Sequence, residues 1–108
     1  MNVQITNSEN YTIIKVQGRI DTITATDFEA KVMTTLEQSK KLVINCSELD
    51  YISSSGLRVF LLTQKKINAA GGTLKLCCLQ PTIKEIFDIS GFSTIFSIYS
   101  DQESATNP

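Results

Sequence analysis

The stretch DYISSSGLRVF, residues 50–60, holds the side chains of this chain best placed to do chemistry. Three consecutive serines, a glycine and an arginine follow an acidic residue. A serine hydroxyl becomes a nucleophile only beside a base that takes its proton. The chain has no histidine, which excludes a Ser-His-Asp triad and every other histidine-based acid-base pair. Lysine-assisted serine chemistry lacks the Ser-x-x-Lys spacing that would support it. Three uses of the serines remain. They can cap a helix, because a hydroxyl accepts a hydrogen bond from an unpaired first-turn N–H. They can help bind an anion at a helix start, although the glycine spacing and lysine of a phosphate-binding loop are missing. Or they can be phosphorylated, which adds about -1.5 to -2 charges at a helix terminus able to tolerate them.

The elements around this stretch decide how it is presented. Residues 3–6 and 11–17 favour strands, the second with Ile14 and Val16 alternating with Lys15 and Gln17. Asn7-Ser8-Glu9-Asn10 between them is turn chemistry and predicts a hairpin, and Gly18 is expected to end the second strand. A helix is expected over 24–38, with Thr24 and Asp27 in a capping arrangement and Ala25, Phe28, Val32 and Leu36 on one face. Residues 42–46 read as a short strand buried on both sides. A second helix is expected from Gly56 to about residue 70, closed by Gly71-Gly72. A strand over 73–79, a helix opened by Pro81 and stopped by Gly91, and a strand over 95–99 complete the domain. Residues 100–108 are expected to form a frayed tail. The order ββαβαβαβ implies one α/β domain over 1–99, with a mostly parallel sheet flanked by helices and an antiparallel edge pair.

Composition narrows the partners. The 108 residues are 42% hydrophobic and 19% charged, with a net charge of -1 from ten basic and eleven acidic residues. No basic patch suits nucleic acid. No run approaches the roughly 20 apolar residues of a membrane span, so direct membrane insertion is not expected. The N-terminus lacks the pattern of a secretory signal, and cytoplasmic residence is the default. Cys46, Cys77 and Cys78 lie in apolar runs and read as reduced core thiols, and no metal or cofactor is expected.

Three segments together resemble the anti-sigma factor antagonist family, or STAS domain. GRIDTITA is similar to its Gly-x-Leu/Ile-Asp turn into the first helix, and LVINCSELDYISSSGLRVFL to its central strand, serine loop and second helix. GGTLKLCCLQPTIKEIFDISGFSTIFSIY is similar to its final strand-helix-strand. These segments lie within residues 11–99. The resemblance implies a non-enzymatic partner switch. The unphosphorylated antagonist binds an anti-sigma factor that is also a serine kinase, phosphorylation breaks the complex, and a serine phosphatase restores it. The acceptor position of the motif falls on Ser54, ahead of Ser55 and Ser53, with Ser55, Gly56 and Leu57 completing it. Many members carry an aspartate where this chain has Ser53. Asp21 matches the family aspartate after the second strand and is expected near Ser54, either in contact with the kinase or hydrogen-bonded to the serine loop, or else serving only as a local turn or helix-entry residue. Arg58 reads either as a solvated cation or as a contact for a phosphate or a partner carboxylate, and Asp50 reads as a solvated residue. The resemblance also admits an unphosphorylated scaffold in a signalling assembly or membrane transport system. A nucleotide binder using the second helix's N-terminus is a third class.

Overall fold

A computed structural model describes residues 1–107. Its elements are β1 (Asn2–Asn7), β2 (Thr12–Ile20), α1 (Thr24–Leu36), β3 (Lys41–Ile52), α2 (Ser54–Ala69), β4 (Thr73–Cys77), α3 (Pro81–Ile89), a 3-10 turn (Phe92–Thr94), β5 (Ser97–Tyr99) and α4 (Gln102–Thr106). The five strands form one sheet in the order β1-β2-β3-β4-β5. β1 pairs antiparallel with β2, and every other pair is parallel. The expected α/β architecture, with a hairpin at one edge of a parallel sheet, is the one observed.

Strand alternation sorts the apolar residues onto two faces. On one, Ile14, Val16, Leu42, Ile44, Leu74 and Leu76 meet the apolar stripes of α1, α2 and α3 in a single core. Phe60 lies at its centre, with ring centroids 5.6 Å from Phe28, 5.8 Å from Phe87 and 6.4 Å from Phe96. On the other face Tyr11, Ile13, Val43 and Cys77 pack with Ala105 of α4. Lys75 extends across this face, its ammonium 4.9 Å from the Tyr11 ring and 5.0 Å from Tyr99.

The segment expected to fray is thus a correction. Asp101 caps α4 by accepting the Ser104 N–H at 2.7 Å, and Asn45 donates to Gln102 at 2.7 Å. Ala105 is fully buried, because a parallel sheet with apolar residues on both faces needs cover on both. Four further expectations shift. β2 does not stop at Gly18, which sits at φ +94° in a bulged stretch whose register against β3 slips twice before Ile20. β3 accordingly runs to Ile52, with Leu49 and Ile52 buried beyond the polar Ser47 and Glu48. β4 ends at Cys77 because Cys78 takes a left-handed φ of +63°. β5 begins only at Ser97, since Gly91 at φ +79° leads into the 3-10 turn.

The helix starts also differ. α1 carries no side-chain cap from a Thr24–Asp27 arrangement; Asp27 instead pairs with Lys31 at 3.0 Å. α2 starts at Ser54, two residues before Gly56. Gly71 at φ +75° and Gly72 follow its last turn as expected.

Candidate functional site

The extended β2–β3 pairing brings two loops together at the carboxyl end of the sheet. Ile20 pairs with Ile52, and the Ser53 N–H donates to the Ile20 carbonyl at 2.8 Å. The loop containing Asp21 therefore lies beside the serine turn, as the expectation for Asp21 requires. Its carboxylate does not hydrogen-bond the serines, however. Asp21 Oδ1 accepts the N–H groups of Ile23 at 3.0 Å and Thr24 at 2.9 Å, while Thr24 Oγ1 accepts the Asp21 N–H at 2.9 Å. The Thr24 N–H foremost, then the Thr24 hydroxyl donating to Oδ1 at 3.1 Å, the Ile23 N–H and the Arg19 charge hold the Asp21 carboxyl below the usual carboxylate range against the opposing effect of desolvation. Asp21 is the locking residue of its own turn.

The three serines have three different environments. Ser53 is the N-cap of α2, with its Oγ accepting the Gly56 N–H at 3.2 Å. A serine here replaces the cap function of an aspartate, because both rank among the best N-caps. It leaves the turn without a carboxylate, and the first turn of α2 has no acidic residue. Ser54 is exposed, and its hydroxyl makes no hydrogen bond within the described residues. Ser55 is half-buried and lines a hollow of about 160 Å³ with Thr22, Thr26, Glu29 and Arg58.

Gly56 explains why the turn sits so tightly on the sheet. A Cβ there would lie 2.7 Å from Ile20 Cγ2 and 2.7 Å from Ile52 Cγ1. Both isoleucines are buried, so neither can move aside easily. Leu57 is partly buried and packs against the main core. Arg58 projects to solvent and forms no ion pair among the described residues. Asp50 is exposed, and its one side-chain hydrogen bond among the described residues is from the Gln80 amide, at 3.4 Å.

Three surface residues at this end were not singled out by the sequence. Ile23 is 85% exposed beside Asp21, and Tyr51 is 39% exposed beneath the Arg19 guanidinium, which lies 4.2 Å above its ring. An isoleucine between two threonines in a predicted turn is a signal for the first. The Arg19–Tyr51 pair depends on cross-strand register and has no local sequence signal. Arginine and tyrosine are residue types enriched among the anchors of protein interfaces. The hollow beside Ser55 is smaller than the roughly 300 to 1,000 Å³ of ligand pockets. A larger hollow, about 280 Å³, lies between the carboxyl ends of α1 and α2, bordered by Met33, Leu36, Lys40 and Lys66, and contains none of the serine-loop residues. No helix is long and apolar enough to cross a membrane among the described residues.

An exposed serine turn, with the Asp21 loop and the Arg19–Tyr51 stack near it, thus marks the carboxyl end of the sheet. The chain belongs to the STAS domain family, which it matches over residues 2–105. It is 33% identical over 103 residues to the anti-sigma-B factor antagonist of Bacillus subtilis, covering 95% of this chain and 94% of that protein. It is 38% identical over 91 residues to BtrV of Bordetella bronchiseptica, named as a candidate anti-sigma factor antagonist, covering 83% of this chain and 78% of BtrV. Its fold is that of the anti-sigma factor antagonist SpoIIAA in its unphosphorylated form, with a TM-score of 0.82 at 22% identity over 96% of this chain and 92% of that one. The phosphorylated form of Bacillus SpoIIAA superposes with a TM-score of 0.75 at 22% identity, covering 96% of each chain.

Proposed function

We propose that this protein is an anti-sigma factor antagonist that binds its partner while Ser54 is free and releases it when Ser54 is phosphorylated. The observation that carries the reading is the difference among the serines: Ser53 is committed to the cap and Ser55 is half-buried, whereas Ser54 is exposed with a free hydroxyl. The docking face comprises the Asp21–Ile23 loop, Tyr51 with Arg19, the serine turn and the exposed side of α2's first turns. Such a face works by binding and needs no turnover.

An anti-sigma factor with serine kinase activity supplies the switch. The γ-phosphoryl group of ATP moves to Ser54 Oγ, the bond to the ADP oxygen breaks, and the hydroxyl proton passes to a base of the kinase. The product places a phosphate where a neutral hydroxyl met the partner, so like-charge repulsion and desolvation lower affinity. A serine phosphatase hydrolyses the ester and resets the module. The existence of SpoIIAA in both states supports the compatibility of this fold with the modification. The neutral Ser53 retains the cap, so the missing aspartate does not disable the turn.

Incubation with the cognate kinase and ATP, followed by phosphate mapping by mass spectrometry, is expected to place the phosphate on Ser54 and to yield none in Ser54→Ala. Ser54→Asp is expected to weaken the anti-sigma complex at least about tenfold by calorimetry. Phosphate found only outside the three serines, or undiminished binding by Ser54→Asp, would sink the reading.

A further inference from the structure

Ser54 and Arg58 stand four residues apart on α2, both exposed, a spacing that places them one above the other on the same helix face. Arg58 has no ion-pair partner among the described residues, and on α2 it is the basic residue nearest Ser54, since Lys65 and Lys66 lie two to three turns further on. The first turn of α2 contributes no carboxylate. Glu29 of α1 borders the same hollow as Arg58 but forms no ion pair with it. Asp21, on the loop that supplies Thr22 to that hollow, has its carboxylate engaged by the Ile23 and Thr24 N–H groups. A cation thus lies one turn after the modifiable hydroxyl with no carboxylate claiming it among the described residues.

We propose that Arg58 is the built-in counter-charge for a phosphate on Ser54, so that modification also withdraws Arg58 from the docking face. This inference rests on the reading that Ser54 is the acceptor. An anion placed N-terminal to a cation at this spacing is the favourable orientation of a helical ion pair. The guanidinium fork suits phosphate oxygens better than an ammonium does. In the unmodified protein Arg58 is free to meet a carboxylate of the partner. In the modified protein it folds back onto the phosphate. The switch then combines two changes, an added anion and a lost cation, and the modified turn is partly neutralised rather than left with the full phosphate charge.

The test needs neither kinase nor partner. Phosphoserine is installed at position 54 of the full chain during translation, and the second ionisation of the phosphate is followed by phosphorus-31 NMR at low salt. The dianion interacts with Arg58 more strongly than the monoanion, so the parent chain is expected to titrate lower than Arg58→Gln by roughly 0.4 unit. Arg58→Lys is expected to keep most of that difference, and high salt to shrink it. Equal titration of the parent and Arg58→Gln, both folded by circular dichroism, would overturn the proposal. Because the phosphate is placed genetically, that outcome leaves the kinase-mapping result untouched. Conversely, a kinase that ignores Ser54 would not alter the titration.

Discussion

Single residues at the turn divide the work of shaping it and displaying it. Ser53 satisfies a first-turn N–H, Ser54 faces solvent, and Gly56 brings the helix start down onto Ile20 and Ile52. Replacing Gly56 by alanine raises intrinsic helix propensity by up to about 1 kcal/mol. The added Cβ, however, sits 2.7 Å from a methyl and a methylene of two buried side chains on different strands. Overpacking of that kind costs about 1 to 3 kcal/mol, and the clash is expected to win. Urea denaturation of Gly56→Ala should therefore show a lower midpoint with an unchanged slope. A midpoint at or above the parent's would mean that the turn has more room than the geometry gives it. Ser53 and Gly56 could both be read as helix-start residues from their types, but the division of roles among three identical serines could not. Only their positions relative to the sheet distinguish them.

Elements were legible in proportion to the regularity of their patterns. The stripe Ala25, Phe28, Val32 located α1, and Pro81 with Gly91 bracketed α3, because these signals are local. The extension of β2 and β3 was not legible, since it depends on bulged pairing between strands distant in sequence. α4 was missed for a related reason. Five residues of modest hydrophobicity carry no periodic signal, and their helix is held by the apolar face beneath it. Deleting residues 101–108 should uncover Tyr11, Ile13, Val43 and Cys77 and cost about 2 kcal/mol. Burial pushes the Cys77 thiol up to about 12, so losing the cover should lower it and speed its reaction with a thiol reagent. A Cys78→Ser background isolates this signal, because Cys46 is buried on the opposite, helix-covered face. A truncated chain with the parent's melting temperature and thiol reactivity would show that α4 contributes no cover.

For the molecule as a whole, stability and the proposed function are concentrated in different places. Stability centres on Phe60, whose ring meets Phe28, Phe87 and Phe96 where α1, α2, α3 and the segment before β5 converge. Phe60→Ala should cost about 3 to 5 kcal/mol. That is a large share of the roughly 5 to 15 kcal/mol that holds a domain of this size. Urea titration should find the variant close to unfolding, and a loss below about 1 kcal/mol would contradict the central place given to this ring. The proposed docking face lies instead on the surface at the carboxyl end of the strands. α2 connects the two, with Phe60 inside and Ser54 and Arg58 outside on one helix. A rigid core thus holds the exposed turn in one orientation, and a change of charge at Ser54 needs no rearrangement of the fold to be felt by a partner.

By itself the sequence determined the order of the elements, the one-domain α/β class, the absence of histidine chemistry and the family likeness of the serine turn. Those properties are written in local periodicity, in composition and in motifs a few residues long. Only the tertiary structure decided that β2 and β3 run on to bring the Asp21 loop beside the serines, and that Asp21 locks its own turn. It also decided that Ser53 caps while Ser54 is displayed, and that the last residues close the second face of the sheet. Each of these depends on which groups meet across the fold. Burial and hydrogen-bond satisfaction are properties of such meetings, not of a residue's neighbours in the chain.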